Sequence, residues 1–266
     1  MDFDKKTSFS IATYNVLCDS YIKPQYYPKC HASALLPENR HPRVLERIAG
    51  LDTDVICLQE VDYAMFDRLQ RGLLSLGYRG RWAHKGELKS DGCATFVRKW
   101  IKLLGSHLFT YNDGNAWRNP SGHVALITMM GCGDEAIMVV NTHLKWDSLE
   151  TPVEKCEGLA QAQELLALSA RSPHPHVICG DFNAERGSVV MDVFAEAGYL
   201  DAHLGDTAPS CVANGRAQRV DGLLCNERLW VEDWRPASAI DEKTSLPSGT
   251  EPSDHVPLCA TLTVAD

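Results

Sequence analysis

Residues 54–60 read DVICLQE, in which four apolar residues are followed by the polar pair Gln59-Glu60. A short continuous apolar run is typical of a strand that is buried on both faces. The pattern recurs at residues 176–183, HVICGDFN, where Asp181 and Asn183 follow the apolar run. A polar side chain at a strand end is held rigidly without being buried in the core. Both stretches therefore predict buried strands that carry functional groups at their ends.

Further apolar and β-branched runs extend this pattern, with helical periodicity between them. The predicted strands are Phe9–Val16, Val55–Val61, Ala94–Val97, Val124–Met129, Ala136–Leu144, His176–Cys179, Val220–Leu224 and Val256–Val264. The predicted helices are Phe66–Leu76, Pro152–Ala170, Pro42–Leu51 and Ser188–Ala197. Strands mixed irregularly with few helices favour packed sheets with helices outside them. Because no repeat or linker interrupts the pattern, we predict one domain over residues 1–266, with two functional loops, His84–Asp91 and Thr207–Arg219.

The composition limits what the protein can bind. The 266-residue chain has 26 basic and 35 acidic residues, which gives a formal net charge of −9. Because nucleic-acid-binding proteins usually carry a basic footprint, this charge favours a short or small substrate, or one whose charge a metal neutralises. No run approaches the ~18 apolar residues of a membrane span, and the start Met1-Asp2-Phe3-Asp4 lacks a signal-peptide pattern. We therefore expect no membrane association.

The ten cysteines predict reduced thiols rather than a disulfide framework. Cys57, Cys93, Cys179 and Cys259 lie inside apolar strand-like runs, where cysteine acts as a small hydrophobe. The sequence has no CxxC pair and no Cys/His cluster with zinc spacing. Because reduced thiols are typical of the cytoplasm, we predict a cytoplasmic location.

Five polar clusters lie where predicted strands end. They are TYN at residues 13–15, QE at 59–60, NTH at 141–143, GDFN at 180–183 and SDH at 253–255, with Asp221 beside the last. Each cluster alone could be a solvated strand end or a local turn. Together, four carboxylates, two of the asparagines (Asn15 and Asn183) and two histidines provide what phosphoester hydrolysis requires. These are hard oxygen ligands for Mg²⁺, a group that prepares water, and donors for the phosphoryl oxygens.

This ordered series resembles the endonuclease/exonuclease/phosphatase superfamily from Asn15 to His255. Residues 14–18 (YNVLC), 91–94 (DGCA) and 143–147 (HLKWD) are similar to its deadenylase branch, which includes nocturnin, the Angel proteins and the carbon-catabolite-repressor-type deadenylases. The resemblance implies an α/β fold, a four-layer sandwich of two mixed β-sheets flanked by helices.

The resemblance also implies roles for the metal and the attacking water. Glu60 would be the principal ligand of Mg²⁺, for which Mn²⁺ could substitute, and Asn15 would lie in the same shell. Asp181 would orient or deprotonate the water, and Asn183 would donate a hydrogen bond to a phosphate oxygen. An aspartate is a weak base at its ordinary pKa of ~3.9, so its surroundings would have to raise that value.

The remaining polar clusters are implied to contact the phosphate. His255 would contact it and is the alternative base, with Asp221 holding its imidazole in one tautomer. His143 would be a second phosphate donor, and Asp254 a further carboxylate on the metal or water side. Sequence reasoning leaves open whether Asp181 or His255 is the base.

Substrate choice is where the chain departs from the branch. Asp91 of the DGCA motif, Arg216 and Arg219 are predicted to bind substrate. Poly(A)-removing members tend to have an aromatic residue at the position of Arg216 and a proline at that of Ser148. An arginine suits a terminal or second phosphate, although it can also stack on a base.

Three functions follow from these observations. The leading prediction is a Mg²⁺-dependent phosphodiesterase that acts on RNA or short oligonucleotides from the 3′ end. The alternative is a phosphatase for a nucleotide-like small molecule or for terminal or 2′,3′-cyclic phosphates. A degenerate member that only binds would lack Glu60, Asp181 or His255, and all three are present. We expect no obligate protein partner, because no appended domain is visible.

Overall fold

The computed structural model describes residues 7–86, 88–114 and 121–265. The strands are β1 (Ser8–Asn15), β2 (Val55–Asp62), β3 (Tyr78–His84), β4 (Asp91–Arg98), β5 (Leu103–Thr110), β6 (Val124–Cys132), β7 (Glu135–His143), β8 (His176–Asp181), β9 (Leu200–Asp201), β10 (Cys211–Ala213), β11 (Arg216–Gln218), β12 (Asp221–Cys225), β13 (Leu229–Arg235) and β14 (Leu258–Val264). The α-helices are α1 (Ala32–Leu35), α2 (Pro37–Ala49), α3 (Tyr63–Leu74), α4 (Glu157–Ser169) and α5 (Val189–Glu196), and 3-10 turns cover Asp19–Tyr21, Pro24–Tyr26 and Val153–Lys155. The start Met1-Asp2-Phe3-Asp4 and Glu87 of the predicted loop lie outside the described residues.

Twelve of these strands form two six-stranded mixed sheets. The first sheet has the order β13-β14-β1-β2-β4-β3, and the second has the order β5-β6-β7-β8-β12-β9. In the first sheet β1 and β2 run parallel, as do β7 and β8 in the second. The other pairs are antiparallel. Each of the two sheets is therefore mixed, with one parallel pair of strands at its centre.

Apolar contacts stack these sheets and the helices into four layers. Val55 and Cys57 of β2 point into the cluster between the sheets, together with Val139 of β7. Ile56 and Leu58 point to the opposite face, where they pack in a cluster with residues of α2 and α3. Residues of α4 and α5 share a third cluster with the outer face of the second sheet. Because alternate residues of a strand face opposite sides, a continuous apolar run fills two clusters at once. The predicted four-layer sandwich is confirmed.

The predicted elements are present with shifted ends, and one segment was predicted wrongly. All eight predicted strands and four predicted helices have counterparts, although α2 begins at Pro37 and contains Pro42 within it. Thr207–Arg219 is not a plain loop, because it contains the antiparallel hairpin of β10 and β11. No helix among the residues that the structure describes is long and apolar enough to cross a membrane.

The parallel pairs bring the predicted clusters to one edge of the sandwich. Parallel strands end at the same side of a sheet, so Asn15 of β1 and Glu60 near the end of β2 lie together. His143 and Asp181 end β7 and β8 in the same way and are paired in register. Asn141 of β7 joins the two sheets below this edge, since its Nδ2 donates to the carbonyls of Leu58 and Ala94 in the first sheet at 3.1 Å and 2.9 Å.

Candidate active site

Glu60 lies where β2 bulges. The register between β2 and β4 shifts between Leu58 and Val61, and Glu60 has a φ of 58°. A left-handed φ costs a non-glycine residue roughly 1–3 kcal/mol, which the surrounding contacts must offset. The bulge aims the carboxylate at its partners, since bulges redirect side chains. Asn15 Nδ2 donates to Glu60 Oε1 at 3.0 Å, and the Cys18 amide donates to Oε2 at 2.9 Å.

Asp181 is joined to the same asparagine from the opposite sheet. Asn15 Nδ2 donates to Asp181 Oδ2 at 2.9 Å, so one amide connects carboxylates of both sheets. Asp181 Oδ1 accepts from the Asn183 amide at 2.8 Å in a tight turn. A Cβ on Gly180 would lie 1.8 Å from the Thr142 carbonyl oxygen, so only glycine lets β8 approach β7 here. The GDFN motif therefore fixes the direction of the Asp181 carboxylate.

His255 is oriented by a carboxylate that lies opposite Asp181. Asp221 and Asp181 are direct partners in the antiparallel pairing of β12 and β8. His255 Nδ1 lies 2.8 Å from Asp221 Oδ2, and Nε2 lies 3.7 Å from Asp181 Oδ2. Ser210 Oγ donates to Asp221 Oδ2 at 2.6 Å. The structure therefore places Asp221 beside His255 and turns Nε2 of that imidazole toward Asp181.

His143 approaches Asp181 from another side. Its Nε2 lies 3.6 Å from Asp181 Oδ2 and 3.0 Å from Nδ2 of Asn183. Lys85 Nζ lies 3.2 Å from His143 Nδ1. Because an ammonium group only donates, Nδ1 accepts from Lys85, and Nε2 faces Asp181 and the Asn183 amide inside the site.

Asp91 supports this arrangement and is closed to substrate, contrary to its predicted role. Its side chain is 0% exposed. Lys85 Nζ lies 2.8 Å from Asp91 Oδ2, and the Tyr21 hydroxyl donates a hydrogen bond to Oδ1 at 2.7 Å. This carboxylate is fully buried between an ammonium group and a hydroxyl, so it presents no exposed surface to a substrate. It holds Lys85 against His143 instead.

The two predicted arginines lie in different surroundings. Arg219 is buried, with Nη1 donating to the Ala208 carbonyl at 3.0 Å and lying 3.4 Å from Asp206 Oδ2. This buried ion pair contradicts its predicted contact with substrate. Arg216 is exposed on the hairpin of β10 and β11, whose first residue, Cys211, pairs with His255 across an isolated bridge. Its predicted substrate contact remains a prediction.

Crowding raises the pKa values of the two central carboxylates. Burial and, to a smaller extent, the nearby carboxylate of Asp254 raise the pKa of Glu60 to about 7. Burial raises the pKa of Asp181 to about 6, although the imidazolium of His255 opposes the change. Carboxylates that are destabilised in this way are groups whose charge a bound cation would stabilise.

The two histidines differ in charge. Burial alone lowers the pKa of His255, but the carboxylates of Asp221 and Asp181 outweigh burial and hold the pKa well above its ordinary value. The pKa of His143 lies well below its ordinary value, because of burial and the positive charge of Lys85. At neutral pH the site therefore pairs a cationic His255 with a neutral His143.

Several residues that support the site were not found from the sequence. Lys85 contacts His143, and Cys211 pairs with His255. The Tyr27 hydroxyl donates a hydrogen bond to Asp254 Oδ2 at 2.9 Å. Lys85 and Cys211 lie in the two predicted functional loops, which is their only sequence signal. Tyr27 reaches the site through tertiary packing that no local pattern shows.

Two overlapping side-chain groups in the described residues have ligand atoms close enough to share a metal ion at the predicted centre. They are Glu60 with His143 and Asp181, and Asp181 with Asp221 and His255. A third group, Cys211 with Asp254 and His255, lies beside them. The first is the most open, because Glu60 is partly exposed. The site therefore has acidic and imidazole groups that could bind a metal.

The fold and this cluster of groups together define a hydrolase of the nuclease and phosphatase type. The chain belongs to the endonuclease/exonuclease/phosphatase family, whose model matches residues 12–255. The predicted family and enzyme class are confirmed.

Among its relatives are the CCR4-Not complex 3′-5′-exoribonuclease subunit Ccr4 of Kluyveromyces lactis and the CCR4-NOT transcription complex subunit 6-like-A of Xenopus laevis. The first is 29% identical over 239 residues, covering 76% of this chain and 30% of the relative. The second is 26% identical over 246 residues, covering 74% of this chain and 44% of the relative. The chain thus spans less than half the length of these two curated relatives.

Solved structures share the fold over almost the whole chain. A structure of ANGEL2, a 2′,3′-cyclic phosphatase, in complex with adenosine-2′,3′-vanadate has a TM-score of 0.81 at 22% identity, covering 99% of this chain and 97% of that chain. The human nocturnin catalytic domain with bound sulfate has a TM-score of 0.71 at 24% identity, covering 97% and 94%. At these identities the likeness concerns the fold.

Proposed function

We propose that the protein is a Mg²⁺-dependent phosphodiesterase that removes nucleotides from the 3′ end of RNA or short oligonucleotides. The observation that carries the proposal is the bridge from Glu60 through Asn15 to Asp181, which joins the two sheets at one edge. Relatives named as 3′-5′-exoribonucleases support the reaction and its direction. We propose residues 1–266 as one catalytic domain.

Mg²⁺ fits the residues at Glu60. The carboxylate is partly exposed, and burial with a neighbouring carboxylate raises its pKa to about 7. Oxygen donors of this kind suit a hard cation, which Mn²⁺ can replace. When bound, the ion supplies a Lewis acid that stabilises charge on the phosphoryl oxygens. Glu60 would hold the ion, with Asn15 beside it.

Asp181 is the proposed base, and His255 is the proposed cationic donor. A base works best when its pKa lies near the working pH, and a pKa of about 6 meets that condition better than the ordinary 3.8 of an aspartate. His255 is already protonated, because Asp221 and Asp181 raise its pKa. It can donate a hydrogen bond to a phosphate oxygen but cannot accept the proton of the attacking water.

His143, Asn183 and Asp254 complete the proposed site. His143 turns Nε2 toward Asp181, and we assign it as the donor to a second phosphate oxygen. Asn183 is held by its bond to the Leu144 carbonyl at 2.9 Å and can donate to the same group. Asp254 is near enough to Glu60 for its charge to raise the pKa of that carboxyl group. Donors aimed at developing charge are the largest source of catalysis in such sites.

A phosphatase acting on terminal or 2′,3′-cyclic phosphates is the second candidate. Arg216 favours it, because this exposed residue occupies the position where the resemblance leads one to expect an aromatic residue. A guanidinium can bind a second phosphate in a bidentate manner. ANGEL2, with which the chain shares its fold, is a 2′,3′-cyclic phosphatase.

A substrate panel distinguishes these candidates. Purified protein with Mg²⁺ should be given oligo(A), mixed RNA, single- and double-stranded DNA, RNA with 2′,3′-cyclic ends and NADP(H). We expect mononucleotide release from RNA. Release of inorganic phosphate, or opening of cyclic ends without shortening, would replace the first candidate by the second. No turnover of any substrate would contradict both.

The cellular setting is also a proposal. We propose a cytoplasmic location, which the ten free thiols support. Several relatives are named as subunits of the CCR4-Not complex. The prediction that no obligate protein partner is needed can be checked by turnover of the purified chain alone.

A further inference from the structure

Cys211 and His255 face each other across a short antiparallel bridge. The amide of Val212 donates to the Asp254 carbonyl at 2.8 Å, and the amide of Val256 donates to the Ser210 carbonyl at 2.8 Å. These bonds flank the bridge, which makes Cys211 and His255 a non-hydrogen-bonded pair. In such pairs the two side chains are closest and lie on the same face. The backbone therefore sets the thiol next to the imidazole.

Asp254 adds a carboxylate to this pair. The ligand atoms of Cys211, Asp254 and His255 all lie within 4.8 Å of one another, and the three residues are buried, at 7%, 6% and 6% exposure. Thiolate, imidazole and carboxylate are the ligand types of zinc, which binds them at about 2.0–2.3 Å. Neither Glu60 nor Asn15, the residues proposed to hold Mg²⁺, belongs to this group. A soft thiolate favours zinc over magnesium.

The outer contacts are those of a metal-ligating histidine. His255 Nδ1 is bound to Asp221 Oδ2 at 2.8 Å, which leaves Nε2 as the nitrogen open to a ligand. Carboxylates commonly hold zinc-binding imidazoles in this way. Tyr27 fixes Asp254 through Oδ2 at 2.9 Å, and the second carboxylate oxygen lies 3.4 Å from Ser253 Oγ. Two of the three ligands are therefore already oriented.

We propose that Cys211, Asp254 and His255 bind Zn²⁺ and that this binding inhibits the enzyme. The Cys211 S–H bond breaks, a Zn–S bond forms, and the proton leaves to solvent, while the His255 proton leaves Nε2 in the same exchange. No electron transfer is involved. His255 then cannot donate to a phosphate oxygen, so turnover stops although Glu60 still holds Mg²⁺. The inference goes beyond the proposed function, and its binding part does not depend on the substrate.

Zinc binding is tested first without any substrate. Chelator-stripped wild-type protein should bind one Zn²⁺. The zinc affinity of Cys211→Ser should be at least ~10-fold lower, since even the loss of an outer-shell contact typically weakens metal affinity by 10–100-fold. Cys30→Ser, which alters a partly exposed thiol, is the matched control and should bind as wild type. Co²⁺ in place of Zn²⁺ should give a thiolate charge-transfer band that Cys211→Ser lacks. Equal zinc affinity in wild type and Cys211→Ser would overturn the proposal.

Inhibition is tested second, with Mg²⁺ in excess. Low zinc should inhibit wild type and Cys30→Ser, and Cys211→Ser should resist it at least ~10-fold better. Inhibition that is equal in all three proteins and is relieved by more Mg²⁺ would mean that zinc competes at Glu60, which contradicts the proposal. If Cys211→Ser does not fold, Asp254→Asn takes its place in the binding assay and should also weaken zinc binding. Unchanged zinc affinity there would overturn the proposal too.

Discussion

Replacing Glu60 with Gln should change how the stability of the metal-free protein depends on pH. The pKa of Glu60 rises from 4.5 to about 7 on folding, because of burial and the carboxylate of Asp254. A carboxyl group with a raised folded-state pKa stabilises the protein below its unfolded pKa, and that contribution is lost as pH rises toward the folded value. Glutamine stays neutral at every pH, so the Glu60→Gln variant does not lose this contribution to stability as the pH rises.

The size of the effect follows from the shift. At about 1.4 kcal/mol per pKa unit, Glu60 removes roughly 2–3 kcal/mol of stability from the wild type between pH 5 and pH 8. For a chain of this size that corresponds to roughly 5–10 °C in Tm. The glutamine of the variant has only one acceptor oxygen for the two donors, Asn15 Nδ2 and the Cys18 amide. The lost hydrogen bond lowers the stability of the variant by an amount that does not depend on pH. The change with pH is therefore the informative quantity.

The assay is thermal or urea unfolding in EDTA at pH 5 and pH 8. The difference in unfolding free energy between Glu60→Gln and wild type should move in favour of the variant by about 2–3 kcal/mol. Glu46→Gln, an exposed position in α2, is the matched control and should show no such change. Mg²⁺ should raise the Tm of wild type at pH 8 and leave that of Glu60→Gln almost unchanged. A difference that is independent of pH would refute the assignment of Glu60 as a destabilised carboxylate.

Four further outcomes are expected. Glu60→Ala and Asp181→Ala should each lower kcat by roughly 10²–10⁴-fold with unchanged circular dichroism, and near-wild-type turnover would remove that residue from the mechanism. The kcat of wild type should rise with pH through about 6, the pKa of Asp181, and a flat profile there would exclude it as the base. Arg216→Ala should raise KM by about 10–150-fold on substrates with an extra phosphate but leave the hydrolysis of bis-p-nitrophenyl phosphate unchanged. Arg171→Ala, at another exposed arginine, is the control. Equal losses of activity on the two kinds of substrate would make Arg216 structural. Ten thiols should titrate after denaturation without reductant, and protected pairs would contradict the reduced state.

Buried strands were predictable and edge strands were not. Every predicted strand has a counterpart, because central strands such as β2 and β8 are apolar on both faces. The four strands missed within the large sheets, β3, β5, β9 and β13, are the four sheet edges. In β5 most residues are exposed, so its sequence LLGSHLFT has no apolar alternation to detect.

The site was predictable where a group ends a strand and not where pairing across the fold supplies it. Glu60 and Asp181 follow apolar runs, which is a local signal. Arg219 was misassigned because its partner Asp206 lies in another turn, and a charged residue in a loop gives no sign of burial. Cys211 reaches His255 only through a bridge between segments 44 residues apart. Spacing rules for metal ligands in sequence cannot detect such a group.

The central claim is that the groups around Glu60 and Asp181 hydrolyse phosphoesters with a divalent metal. The most direct measurement follows 5′-labelled oligo(A) with a free 3′ end, in Mg²⁺ and in EDTA, for wild type, Asp181→Asn and the exposed control Asp192→Asn. We predict a ladder of shortened products from wild type and Asp192→Asn in Mg²⁺ only, because the base and the metal must both be present. The same ladder from Asp181→Asn, or from wild type in EDTA, would contradict the claim.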